Sequence, residues 1–194
     1  MKRTRILAVA AIAIAPISGC VDQPLEPVAP DVTAERDGAP APIAQHGNRG
    51  GNDHAAGVRK WAREVRRVTR RFHRIDRAAS AGYDARLTEC LESPAGGMGL
   101  HYGNPTLIDG VVEEQAPEVL LYEPLPNGRL RLVAVEYVVP YTAWDGPQPP
   151  SLNGVSFHRN DGFGLWVLHL WAWKANPSGI LADWNPRVSC RFAD

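Results

Sequence analysis

Two polar side chains interrupt apolar rows in segments that alternate like β-strands. In the segment 129–139, Glu136 would share one strand face with Leu130, Leu132, Ala134 and Val138. In the segment 163–173, His169 interrupts a face that otherwise holds Phe163, Leu165, Val167, Trp171 and Trp173. A buried carboxylate must pair with a cation, bind a metal or hold its proton. We therefore expect Glu136 and His169 to meet on neighbouring strands.

Two further histidines could join this pair. His101 lies among glycines in the segment 96–105, which lets the backbone come close to another group, and His158 follows Phe157 in a predicted loop. Two histidines and a carboxylate are the ligand set of catalytic zinc sites and of non-haem iron sites. We predict a divalent transition metal, with zinc as first choice, at His101, Glu136 and His169. His158 or water would complete the shell.

This predicted metal site has a simpler alternative. The histidines and the carboxylate follow none of the familiar metal-ligand spacings, such as His-Glu-x-x-His. For each of the three residues the alternative is a hydrogen-bonded core group, for example a His–Glu pair that holds the sheet in register. Geometry must decide between the two interpretations.

Other chemistries lack their sequence motifs. The chain has no Gly-x-Ser-x-Gly elbow, no Walker loop and no dinucleotide fingerprint. It contains 21 basic and 21 acidic residues, so its net charge gives no argument for nucleic acid as a partner. Its six tryptophans are more typical of a core than of a sugar-binding surface. No catalytic residue is assigned, and an enzymatic function would depend on the metal site.

One helix and several strands are predicted to position these residues. Apolar residues recur every three or four positions from His54 to Ala81, which predicts a helix that Gly82 ends. Asn127-Gly128 predicts a tight turn between strands 119–123 and 129–139, and residues 163–173 predict a central strand. The sequence thus predicts an α+β domain with one long N-terminal amphipathic helix packed on an antiparallel sheet.

The predicted helix has a basic outer face. Its basic residues are Arg59, Lys60, Arg63, Arg66, Arg67, Arg70, Arg71, Arg74 and Arg77. The segment 84–194, in contrast, holds 13 acidic and 7 basic residues. A basic amphipathic helix can lie against anionic lipid or an acidic partner, and a solvated face is the alternative.

The first 19 residues have the pattern of an export signal. Lys2, Arg3 and Arg5 precede an apolar stretch, 6–17, that is too short to span a bilayer as a helix. The stretch ends in Ile17-Ser18-Gly19-Cys20, which resembles the lipobox of bacterial lipoproteins. The resemblance implies cleavage before Cys20, a diacylglyceryl group on its sulfur and an acylated new N-terminus. An ordinary secretory signal with a chance cysteine is the alternative.

The mature protein is therefore expected outside the cytoplasm, anchored to the cell envelope through lipid. Val21 is not the aspartate that retains such proteins in the inner membrane, so the resemblance implies the outer membrane in a Gram-negative organism. We divide the chain into the signal peptide 1–19, a lipidated and disordered tether 20–53 rich in Pro and Ala, and one domain, 54–194.

Two cysteines remain for the domain itself. Cys90 and Cys190 would meet an oxidising compartment, where two leftover cysteines are more often paired than free. We predict a disulfide between them. A metal-binding or redox thiol pair is the alternative, although the Cys-x-x-Cys spacing typical of such pairs is missing.

Two segments resemble exported actinobacterial and related proteins of unknown function. They are 93–105 and 169–190, the second with Asn176-Pro177-Ser178-Gly179 and Trp184-Asn185-Pro186. The resemblance extends from about Arg70 onward and implies export, but no fold, substrate or oligomeric state. Three functions follow for an anchored lipoprotein: binding of a small molecule or metal ion, metal-dependent hydrolysis or oxygen chemistry, and a structural role in the envelope.

Overall fold

A computed structural model of the protein describes residues 49–193, with side chains from His54 onward. The predicted signal peptide 1–19, the lipidation site Cys20 and most of the predicted tether 20–53 lie outside the described residues. Within the described part of the chain, no helix combines the length and the apolar character that a membrane span requires.

The helical region consists of two helices separated by a 3₁₀ turn. Helix α1 covers Arg49–Thr69, the turn Arg70–His73 and helix α2 Ile75–Ala79. This corrects the prediction of one long N-terminal helix, because α1 starts well inside the chain and Arg74 has an extended backbone. The Tyr122 hydroxyl donates a 2.6 Å hydrogen bond to the Phe72 carbonyl, so contact with the sheet holds the turn.

The strands form one large antiparallel sheet and one separate hairpin. Their bounds are β1 Ala85–Arg86, β2 Leu91–Ser93, β3 Gly96–Gly103, β4 Val119–Pro124, β5 Leu130–Pro140, β6 Ser151–Leu152, β7 Val155–Ser156, β8 His158–Asn160 and β9 Leu165–Leu170. The large sheet has the order β1-β3-β4-β5-β9-β8, β2 also pairs with β3, and β6 pairs with β7. The predicted α+β class, antiparallel sheet and hairpin β4–β5 are confirmed.

The large sheet has two covered faces. On one face the helix residues Val58, Trp61 and Val65 pack with Tyr122 and Tyr137 in the main core. On the other face a second apolar cluster contains Val119, Leu121, Ala134, Val138, Val167 and Trp171. The residues that sequence analysis singled out lie on this second face, so α1 supports the sheet from behind the site.

A β-bulge corrects the predicted face of strand β5. Leu121 pairs with Ala134, but the next residue, Tyr122, pairs with Leu132. Val133 is therefore an extra residue, and Leu132 lies in the helix-side core rather than beside Ala134. The alternation that places Ala134, Glu136 and Val138 together begins only after the bulge.

A disulfide joins Cys90 and Cys190, whose Cα atoms are 5.7 Å apart. The predicted pairing is thereby confirmed. It ties the segment before β3 to the end of the domain, 100 residues later. Such a bond is typical of proteins that fold in an oxidising, extracytoplasmic environment.

Part of the basic helix face has partners within the domain. Arg66 donates a 2.7 Å hydrogen bond to the Ala172 carbonyl, and Arg67 pairs with Glu64 at 2.9 Å. Arg59, Lys60 and Arg63 are exposed. The charge of Arg67 is therefore partly balanced by a neighbouring carboxylate, whereas the hydrogen bond of Arg66 to a carbonyl leaves its positive charge in place.

Candidate metal centre

Three strands of the large sheet bring His101, Glu136 and His169 together. His101 lies on β3, and Glu136 of β5 is the direct cross-strand partner of His169 on β9. One ligand atom from each residue can be chosen so that all lie within 4.8 Å of one another. The three residues are only 4%, 7% and 2% exposed, respectively. The structure thus brings the three predicted residues together.

The spacing of the three side chains suits a shared cation. The Nε2 atom of His169 lies 3.4 Å from Glu136 Oε1, and the Nε2 atom of His101 lies 3.7 Å from Glu136 Oε2. Two ligands about 2.1 Å from a tetrahedral zinc ion are about 3.4 Å apart. Both histidine–carboxylate distances are close to this value, and the three ligand atoms, which lie within 4.8 Å of one another, would draw closer together around one ion.

The Nε2 atom of His169 is the strongest sign of a missing partner. Among the described residues, it is the one fully buried side-chain nitrogen or oxygen atom without a hydrogen bond. Glu136 is close to it, but the contact lacks the alignment of a hydrogen bond. A buried polar atom without a partner costs about 1 to 3 kcal/mol, so such atoms mark strain, a functional role or an absent ion.

The Nδ1 atom of each histidine has a polar side chain as its partner. Nδ1 of His169 lies 3.1 Å from Asp183 Oδ1, and Nδ1 of His101 lies 3.0 Å from the Thr88 hydroxyl oxygen. In metal sites a carboxylate or other acceptor at the far nitrogen fixes the histidine tautomer and ring orientation. Both rings therefore direct their Nε2 atoms toward Glu136 in the manner of metal ligands.

The charges around the two histidines differ. Burial lowers the pKa of His101, which favours the neutral imidazole that a metal needs. Burial also acts against a charged His169, but the carboxylates of Glu136 and Asp183 outweigh it, so the pKa of His169 is raised. The hydrogen bond with His169 lowers the pKa of Asp183. The two carboxylates thus favour a positive charge near His169.

His158 and Asp183 lie behind His169, and of these two residues the sequence analysis named only His158. His158 lies on the short strand β8, outside the three-residue group, and its Nε2 atom is 3.3 Å from Asp183 Oδ2. Asp183, which links His158 to His169, was not predicted. It follows a turn in an irregular segment without periodicity, so only its acidic type could have drawn attention.

Glycines allow strand β3 to reach its position in the site. Gly99 has a φ of +93°, and a Cβ atom there would collide with the Tyr122 carbonyl oxygen on β4. Gly96 has a φ of +125° and lies equally close to the backbone of Asn185. The backbone of the glycine-rich segment therefore comes close to other backbone, as predicted. Its neighbours there are strand β4 and the C-terminal segment.

No protein-family model, no curated protein and no solved structure matches this chain. The chemistry of its own residues therefore defines what the site can bind. Two neutral imidazoles and a carboxylate suit a zinc ion with an open position, or an iron ion bound by two histidines and one carboxylate.

Proposed function

We propose that the protein is an extracytoplasmic, lipid-anchored lipoprotein whose domain binds one divalent transition metal ion through His101, Glu136 and His169. The Nε2 atom of His169 carries this proposal, because a bound ion would supply the partner that none of the described residues provides. Zinc is the first choice because mixed imidazole and carboxylate ligands suit it. Iron, copper and manganese remain alternatives that use the same ligand types.

Charge supports a cation at this position. Glu136 is almost completely buried and lies between two imidazoles. A divalent ion would supply the positive charge that a proton on His169 otherwise provides beside Glu136 and Asp183. Asp183 and Thr88 would then act through the histidines as positioning residues.

A metal-dependent enzyme is the second candidate. Three protein ligands leave at least one position of a zinc ion open, as in catalytic rather than structural zinc sites. The observation that favours this candidate is that all three residues also line a surface cleft, through which another molecule could reach the ion. Metal binding is common to both candidates and is tested first.

The test measures the metal content of the full-length protein, purified without a histidine tag and dialysed against zinc. We expect close to one ion per chain, and a large loss of bound metal in the variants Glu136→Gln and His169→Ala. His54→Ala is the matched control because His54 is exposed on α1. If the wild-type protein stays metal-free with every candidate ion, while His169→Ala still unfolds more easily, the residues are a buried hydrogen-bonded pair instead.

A further inference from the structure

A cleft opens to the surface beside the three predicted metal ligands. Its volume is about 90 Å³, and His101, Glu136 and His169 contribute to its lining. The remaining walls are mainly apolar, with Met98, Ile108, Val138, Leu165 and Val167 among them. An apolar cleft with a few convergent polar groups is typical of a small-molecule site.

The rim of the cleft exposes apolar side chains to solvent. Phe163 is 59% exposed and Leu87 is 43% exposed, and both line the cleft. They are two of the four large hydrophobic residues that are exposed in the described part of the chain. Exposed apolar surface next to a cleft is typical of a binding site, because a ligand would remove it from water.

The charge of the cleft limits the chemistry of its ligand. Among the described residues, the titratable ones that line it are His101, Glu136 and His169. With neutral imidazoles, a divalent ion and the Glu136 carboxylate leave one net positive charge among the groups that line the cleft. The Asp183 carboxylate lies on the far side of His169, outside this lining, where its side chain is 35% exposed and also contacts His158. Since no other lining residue carries a charge, a ligand with one negative group would neutralise the lining without leaving a buried charge of its own.

We propose that this cleft binds a small monocarboxylate whose hydrocarbon part is a single ring or a short branched chain. The carboxylate coordinates the metal ion, and the hydrocarbon part packs against the apolar walls and Phe163. This inference rests on the proposed metal site. It names the class of ligand, or of substrate if the protein is an enzyme.

The test uses the full-length protein loaded with Co²⁺, which suits the same ligands as zinc and has a visible absorption spectrum. Benzoate and acetate serve as probes, because they share the carboxylate and differ in the hydrocarbon part. We expect both to change the cobalt spectrum, and benzoate to bind at least about tenfold more tightly because its ring leaves water. The metal-free protein should bind neither probe detectably.

Surface variants separate the cleft from the metal. Phe163→Ala should weaken benzoate about three- to tenfold and leave acetate unchanged, because it removes apolar rim surface only. Phe192→Ala is the matched control, since Phe192 is 43% exposed and lies outside this cleft. Both variants alter exposed side chains and should fold like the wild type.

The two proposals fail in different ways. If neither cobalt nor zinc binds, the metal proposal is refuted and the ligand proposal with it. If cobalt binds, but benzoate binds no more tightly than acetate, the metal site stands and the ligand proposal is refuted. The same conclusion holds if benzoate binds the metal-free protein equally well, or if Phe163→Ala and Phe192→Ala behave alike.

Discussion

Asp183→Asn should weaken metal binding although Asp183 is not one of the three ligands. Its Oδ1 atom lies 3.1 Å from Nδ1 of His169, which keeps the proton on Nδ1 and leaves Nε2 free toward Glu136. Asparagine can still accept this hydrogen bond through its amide oxygen, but it lacks the negative charge that makes the imidazole a stronger donor to the metal. Loss of such an outer partner typically costs about 10- to 100-fold in metal affinity, which is about 1.4 to 2.8 kcal/mol.

The assay is a competition between the full-length protein and a coloured zinc chelator, which gives the Kd for zinc. Asp161→Asn is the matched control, because Asp161 is an aspartate on the surface whose side chain is 73% exposed and pairs with Arg159. We expect an unchanged Kd for the control. If Asp183→Asn and Asp183→Ala both fold normally and bind zinc as tightly as the wild type, the role assigned to Asp183 is wrong.

Three further predictions concern the fold and the anchor. Reduction of the bond between Cys90 and Cys190 should lower the free energy of unfolding by about 4 to 5 kcal/mol, because the bond closes a loop of 100 residues. Equal urea midpoints with and without reductant would contradict this. Burial raises the pKa of Glu118 from 4.5 to about 8, so the folded protein holds a proton that the unfolded chain releases. The free energy of unfolding should therefore fall by up to about 1.4 kcal/mol per pH unit as the pH rises between these values. Glu118→Gln should remove this slope in thermal unfolding. Parallel pH profiles of the variant and the wild type would argue against it. Cys20→Ser should abolish partitioning into the detergent phase, and unchanged partitioning would refute the lipobox interpretation.

The meeting of Glu136 and His169 could be predicted because it depends on local alternation. Both side chains interrupt apolar rows with a period of two, and such rows face the same side when their strands are neighbours. The structure pairs the two residues directly across β5 and β9. His101 was harder to place, since its glycine-rich strand shows no apolar row and only tertiary pairing with β4 fixes its face.

The errors arose where long-range contacts override the local pattern. The apolar repeat runs past Thr69, but the chain continues there as a 3₁₀ turn, whose Phe72 carbonyl accepts a hydrogen bond from Tyr122 and which ends at the extended Arg74. The bulge at Val133 reverses the faces of the first residues of β5, which alternation cannot reveal. Asp183 reaches His169 from an irregular segment, so its role depends on the complete fold.

The most direct test of the metal centre is anomalous diffraction from crystals of the zinc-loaded protein, with data collected on both sides of the zinc absorption edge. We predict one anomalous peak per chain, about 2.0 to 2.2 Å from Nε2 of His101, Nε2 of His169 and a carboxylate oxygen of Glu136. The absence of a peak there, or peaks only at exposed histidines such as His54 and His158, would contradict the account.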